Sequence, residues 1–351
     1  MSSLSAGPLV LVFLASAGAI WLAGTRLAGA TDALDQRLGI GSAFGGLILL
    51  ALVTNLPEIA ITVSAAAQGS LDLAVGNLVG GIAIQTAVLA VLDLLSGRDR
   101  PLTFLAASLL LVLEGASVVV IVAVAFMGAQ LPASADVLGA SPASVAIVAL
   151  WIGGLLVIRH AQGGLLWKAE APLAEPGRTH AHKRAGRGPA PMKEHSTRAV
   201  AAIFGACAAV TLVAGVFIEQ SGDHLAGKMG VQGAVFGATF LAAATALPEL
   251  SSGLASVRLG DNQLAFSDIF GGNAFLPVLF LVADLLGGRP ALPAAASTDQ
   301  WMAGLGIVLT GIYLVGLVMR PQRKIAGVGA DSLAVVCLYA LGIVGLLVVN
   351  G

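Results

Sequence analysis

The sequence predicts an all-α integral membrane protein of ten transmembrane helices, arranged as two inverted five-helix repeats with broken helices at the midplane. Three observations carry this prediction. Hydrophobic residues make up 57% of the 351-residue chain and charged residues 11%, about half the charged share of a soluble domain. Ten apolar segments run along the chain, and its two halves align without a gap at an offset of 191 residues. Such a composition excludes a cytosolic enzyme, a nucleic-acid binder and a disordered scaffold.

The first five apolar segments fall at 8–24, 41–67, 72–95, 103–128 and 144–159. The other five fall at 199–218, 233–256, 263–286, 299–319 and 331–349. The segments run from 16 to 27 residues, around the length of about 20 that a helix needs to span a bilayer. Barrel strands would be about ten residues long with alternating polarity, so helices are expected throughout. The first segment has no charged leader region and no small-residue cleavage site, and reads as a retained span. Cys207 and Cys337 lie inside apolar runs and read as small buried hydrophobes.

One long polar stretch, Lys168–Arg198, separates the segments five and five. The chain therefore divides into a first half (1–160), a basic linker (161–198) and a second half (199–351). His180, His182 and His195 of the linker read as solvated side chains rather than a metal site. Of the 18 Lys and Arg residues, sixteen fall on the linker's side of the predicted topology, leaving Lys228 and Arg289 opposite. By the positive-inside rule the linker is cytoplasmic and both termini face outward, in a multi-pass inner-membrane protein.

Within the repeat, Thr54-Asn55-Leu56-Pro57-Glu58 falls on Thr245-Ala246-Leu247-Pro248-Glu249. Gly69 falls on Gly260, Gly80-Gly81 on Gly271-Gly272, and Asp93 on Asp284; upstream, Asp32, Gly39 and Gly46 fall on Asp223, Gly230 and Gly237. Five spans separate the copies. An odd number inverts the second relative to the first, the sequence sign of a secondary transporter with its site between the repeats.

Glu58 and Glu249 lie well inside apolar spans, where a carboxylate is costly unless paired, protonated or coordinated. Each follows a proline, whose missing N–H leaves the carbonyls of Val53 and Ala244 without a helical donor. Those carbonyls, the hydroxyls of Thr54 and Thr245 and two carboxylates form an all-oxygen set that suits a hard cation such as Ca²⁺ or Na⁺. A kink with a neutral acid is the plainer reading of one motif; two copies at equivalent positions favour an ion site. Gly80-Gly81 and Gly271-Gly272 fit a packing surface, a hinge or both. Glu114, whose repeat position holds Leu305, is expected to bond Ser117 in a structural or protonated role. Asp93 and Asp284 are expected to be wet and without a role.

Two inverted copies of T-x-L-P-E, each followed by a Gly-rich helix, resemble the sodium/calcium exchanger family of Ca²⁺/cation antiporters. The resemblance implies that Glu58 and Glu249 coordinate Ca²⁺ and share in Na⁺ sites, with Thr54 and Thr245 completing the shell. It also places Asn55, Asn77, Gln85, Asp268 and Asn273 in the surrounding or coupling positions. Departures from the family pattern are specific. Its two serine ligands are Gly81 and Gly272 here, a final asparagine is Gln85, and an acidic or amide ligand is Leu276. Asp268 stands where the family carries Asn, and is expected either as a solvated acid that complements the helix N-terminus or as a vestibule charge about 12 Å along the helix from Leu276.

The resulting expectation is a secondary antiporter exchanging Ca²⁺ against Na⁺ by alternating access, with inorganic cations and the lipid bilayer as partners, no nucleic acid and no cofactor. A proton-coupled Ca²⁺ exchanger is the alternative, favoured by the depleted sodium shell. An intramembrane hydrolase lacks an HExxH or GxSxG motif and a mid-membrane histidine. A non-transporting sensor that keeps the fold differs only in flux.

Overall fold

The computed structural model describes residues 5–38, 51–136, 139–162, 192, 194–229 and 241–349. Most of the linker, with His180 and His182, and the glycines at 39, 46, 230 and 237 lie outside the described residues, as does the side chain of Asp32. Among the described residues the fold is all-helical apart from one two-stranded hairpin. In chain order the first half comprises α1 (Ala6–Leu38), α2 (Leu56–Ala67), α3 (Leu71–Leu95), α4 (Leu102–Ala106), α5 (Leu109–Gly128) and α6 (Pro142–Gln162). The second half comprises α7 (Thr197–Met229), α8 (Ala242–Thr245), α9 (Leu247–Leu259), α10 (Asn262–Phe275), α11 (Leu279–Gly287), α12 (Ser297–Met319) and α13 (Ala330–Val349). Strands β1 (Lys324–Ile325) and β2 (Val328–Gly329) form the hairpin between α12 and α13.

Eight helical stretches among the described residues are long and apolar enough to cross a membrane. The two predicted segments that carry the proline motifs, 41–67 and 233–256, are instead interrupted. Asn55 and Ala246 leave the helical conformation at equivalent positions, with φ/ψ of −85°/14° and −78°/4°, and α2 and α9 begin at the next residue. Proline in the first turn explains the restart, since its missing N–H falls where no intrahelical partner is needed.

Element boundaries repeat at the same offset as the sequence. Helices α1 and α7 each hold 33 residues and begin and end 191 residues apart. Gly69 and Gly260 follow α2 and α9 with φ of +78° and +85°, the left-handed closure that glycine adopts without strain. One expectation is corrected here. The apolar stretches 8–24 and 199–218 do not end their helices; each runs about 50 Å, well beyond the ~30 Å hydrocarbon core. Arg26 and Arg37 therefore ride on helix rather than loop.

The long helices α1 and α7 pack on each other and on the opposite half's motif helix, α1 on α9 and α7 on α2. A Cβ at Gly24 would lie 3.2 Å from Pro248, and one at its repeat mate Gly215 would lie 3.2 Å from Pro57. Small residues at these crossings let helix backbones approach closely where lipid supplies no hydrophobic drive. The main core gathers α3, α5, α10 and α12, with Phe266, Phe270, Phe280 and Tyr313 fully buried.

Asp93 and Asp284 are fully buried, against the expectation of wet helix ends. Asp93 accepts from the backbone N–H of Leu102 (2.9 Å) and Gly329 (2.6 Å) and pairs with Lys324 at 3.2 Å. Asp284 accepts from Ser141 (2.8 Å) and Ala291 (2.6 Å). Each thus ties the loop after its own helix to a distant one. Asp93→Ala leaves two buried donors unpaired and is expected to destabilise the protein by about 3 kcal/mol. A lowered thermal midpoint in detergent checks this, and Asp284→Ala serves as the repeat control. Cys337 differs from its expected burial, being exposed on α13, while Cys207 is partly buried; both are free thiols.

Candidate cation site

The two helix breaks bring the motif residues of both halves together. Thr54, Asn55, Glu58, Asn77, Gln85, Thr245, Glu249, Asp268 and Asn273 are all buried, so every site residue singled out in the sequence is withdrawn from the surface. Glu58 and Glu249 sit in the first turns of α2 and α9. Each faces the other half's motif threonine, Glu58 the Thr245 hydroxyl and Glu249 that of Thr54. The Thr245 hydroxyl also lies 3.1 Å from the Ala242 carbonyl, to which it donates.

Gln85 links the halves. Its Nε2 lies 3.3 Å from Glu58 Oε1, 3.3 Å from Glu249 Oε1 and 3.0 Å from Asn55 Oδ1. One nitrogen within hydrogen-bond reach of both carboxylates fixes how close the two acids come. Asn273 ties α10 to α3 through Thr86 Oγ1 (2.9 Å) and the Ile82 carbonyl (3.4 Å). Asn77 holds α3 to α2 through the Glu58 carbonyl and Thr62 Oγ1, both at 3.3 Å.

Four acceptor oxygens of this group are buried with no hydrogen-bond donor among the described residues: Glu58 Oε2, Glu249 Oε2, Gln85 Oε1 and Asn273 Oδ1. Nor does any Lys, Arg or His of the described residues pair with Glu58 or Glu249. Buried acceptors of this kind are costly, and a hard cation bound by oxygens satisfies them. The donor set mixes carboxylates with amides and hydroxyls. Among the described residues no three His, Cys, Asp or Glu side chains gather as a metal centre.

Asp268 corrects the vestibule expectation. It is 1% exposed, accepts from Ser252 Oγ, and accepts from Thr54 Oγ1 at 3.3 Å. Counting along its own helix toward Leu276 measures the wrong path, because Ser252 and Thr54 arrive from α9 and the other half. Its repeat mate Asn77 stays within the first half because Thr62 supplies a partner there; the position equivalent to Thr62 is Gly253. Asp268→Asn removes a charge beside Glu249 and is expected to weaken apparent cation affinity about threefold to tenfold without abolishing transport. An affinity within error of wild type in a Ca²⁺ titration would reduce Asp268 to a packing role.

The glycine pairs act as packing surface: α3 and α10 run unbroken through them. A Cβ at Gly272 would lie 2.5 Å from Asn55 Nδ2, and one at Gly81 3.4 Å from Leu276 Cδ1. The helix irregularity lies just beyond, in a 3-10 turn at Leu276–Val278 around Pro277. Sequence reasoning missed Ser252 and Thr86. Ser252 stands three residues after Glu249, one turn along the same face, and that spacing was the available signal. Glu219, a further buried acid on α7, was also missed.

Comparison with known proteins bears on the family and the fold. The sequence pattern described as "Sodium/calcium exchanger protein" matches residues 8–158 and 199–348. The chain is 26% identical over 318 residues to an antiporter candidate, CaxA, of Alkalimonas amylolytica, covering 87% of this chain and 89% of that protein. It is 26% identical over 322 residues to the inner membrane protein YrbG of Escherichia coli (strain K12), covering 84% and 91%. Among solved structures, the H⁺/Ca²⁺ exchanger CAX superposes with a TM-score of 0.68 at 14% identity, over 97% of this chain and 82% of that one. The sodium-calcium exchanger NCX_Mj superposes with a TM-score of 0.62 at 18% identity, over 96% and 98%. With both halves matched and the two motifs meeting in one buried oxygen cluster, the chain belongs to the sodium/calcium exchanger protein family.

Proposed function

We propose that this protein is a secondary active antiporter that carries Ca²⁺ against a counter-cation by alternating access, with Glu58 and Glu249 sharing one ion. The carrying observation is the set of four buried, donorless oxygens around two carboxylates that have no cationic partner among the described residues. Two carboxylates neutralise one divalent ion, and Thr54 and Thr245 add hydroxyl oxygens from each half. Gln85 rotates its amide so that Oε1, rather than Nε2, points between the glutamates when the ion is present. Its nitrogen and oxygen exchange places in a single half-turn of the terminal torsion.

The reading extends to the architecture: ten spans in two inverted five-helix repeats, with the linker cytoplasmic and both termini outside. Contacts between regions that the charge bias assigns to one side support it. Arg37 donates to the carbonyls of Met192 and His195 at 2.8 Å. Arg98 reaches the Val257 carbonyl (3.3 Å), Arg100 and Arg320 both lie over the Phe104 ring, and Lys324 binds Asp93. An inner-membrane location fits the same bias.

Na⁺ is the counter-ion by family resemblance. Proton coupling is the second reading, favoured by a specific observation. Leu276 is fully buried, and its Cδ1 fills the space beside Gly81, so hydrocarbon occupies positions where the family places oxygen ligands. Purified protein in liposomes, with Ca²⁺ flux followed under an imposed Na⁺ gradient and then a pH gradient, separates the two. Absence of Ca²⁺ movement under either gradient contradicts the antiport reading and returns the chain to a sensor.

A further inference from the structure

Glu114 lies five residues, about 8 Å, into α5 and is used by neither the ion site nor the helix caps. Its partner is not Ser117, whose hydroxyl goes to the Leu113 carbonyl at 2.8 Å. Instead Glu114 Oε2 accepts from Ser267 Oγ on α10 at 2.5 Å. Glu114 is buried, with the residue 8% exposed, and it lines a cavity of about 50 Å³ between α5, α6 and α10. At about 10–15 Å³ per water, that volume has room for about three to five waters, with Glu114, Ser117 and Ser267 the polar side chains of an otherwise apolar lining. The cavity runs to Ile158, one turn before the end of α6, and its inner wall includes Ala51, Ser267 and Gly271. Those residues belong to the two segments whose other faces carry Thr54, Asn55, Asp268 and Gly272.

We propose that Glu114 is a proton-carrying residue of the exchange cycle, protonated from cavity water as the divalent ion leaves Glu58 and Glu249 and deprotonated as the ion returns. The inference rests on the proton-coupled form of the antiport reading and deepens it. Ser267 suits both states, because a hydroxyl donates to a carboxylate and accepts from a carboxylic acid. Asp268, the next residue on α10, bonds Thr54 and Ser252, so a change at Ser267 reaches the ion site through a single step of the backbone. A divalent charge in the low-dielectric interior opposes a proton nearby, which makes the two loads alternate. The groups around Glu114 leave it the free acid of this cavity wall. From α10 comes Asp268, turned toward Thr54; from α12 comes Tyr313, packed on Phe266. From α6 only Arg159 and His160 follow the lining residue Ile158, and both are exposed. Among the described residues, the lining holds no other titratable side chain.

The test compares wild type, Glu114→Gln and Glu114→Asp in liposomes, measuring Ca²⁺ uptake driven by a pH gradient alongside equilibrium Ca²⁺ binding. Gln is expected to reduce gradient-driven uptake about tenfold or more while Ca²⁺ affinity stays within about threefold, a coupling loss of ordinary size. Asp, which keeps the proton site, is expected to recover part of the uptake. Gradient-driven uptake retained in Gln overturns the proposal, as does wild-type uptake that ignores the pH gradient. Gln and Asp variants that lose Ca²⁺ binding together with uptake also overturn it, marking Glu114 as a packing residue. Failure of the ion-site reading shows elsewhere, as Ca²⁺ binding that survives Glu58→Gln.

Discussion

Glu58→Gln and Glu249→Gln each lower Ca²⁺ exchange by at least about 100-fold, the consequence of removing one of two charges from a desolvated site at a cost of about 3 kcal/mol or more. Gln keeps the shape of the side chain, so the fold survives. Stability without ion is expected to hold or rise, because a buried carboxylate lacking a cationic partner among the described residues weighs against folding. Wild type should gain thermal stability as Ca²⁺ is added, by mass action on the folded state, and each variant should lose that gain. Flux and thermal shift together separate a site residue from a structural one. Exchange near wild-type rates in either variant would remove that glutamate from the ion's shell.

Replacing the family's missing oxygens divides sharply by position. At Gly272 a Cβ would meet Asn55 Nδ2 at 2.5 Å, and Asn55 holds Gln85 through its Oδ1 at 3.0 Å. Gly272→Ser must therefore displace Asn55 and loosen Gln85 from both glutamates. Exchange is expected to fall about tenfold or more, the scale of overpacking a tight interior site. At Gly81 the nearest atom is Leu276 Cδ1 at 3.4 Å, an ordinary contact that shrinks further when Leu276 becomes Asp. Gly81→Ser with Leu276→Asp is accordingly expected to keep Ca²⁺ exchange and to steepen its inhibition by Na⁺. Na⁺ titrations of Ca²⁺ uptake read this directly. A Gly272→Ser variant with normal flux, or a Gly81→Ser/Leu276→Asp variant with an unchanged Na⁺ response, would contradict the packing described for this site.

Both contrasts show where sequence reasoning reaches and where it stops. The motif pair Thr54–Glu58 and Thr245–Glu249 was legible because a proline and an acid inside an apolar run break two local rules at once, and the breakage recurs at one offset. Helix ends were less legible. Polarity rises after residue 24, yet α1 continues to Leu38, because its polar last turns pack along α7 rather than entering a loop. Asp93 and Asp284 illustrate the same gap. Their sequence position near helix ends suggested water, but the donors that bury them come from Gly329 and Ser141, far away in the chain. Asp268 was placed by spacing on its own helix, whereas its partners arrive from two others. Local periodicity names a face; only the packing of both halves decides what stands opposite.

Equilibrium Ca²⁺ binding to the purified protein, with the two glutamates varied singly and together, tests the shared-ion account most directly. One ion per chain is expected in wild type. Each single Gln substitution is expected to lose most of the affinity, and the double substitution to add little, since groups acting on one ligand are not additive. Two ions per chain, or two single variants that each retain one independent site, would contradict the claim that Glu58 and Glu249 hold one ion between the repeats.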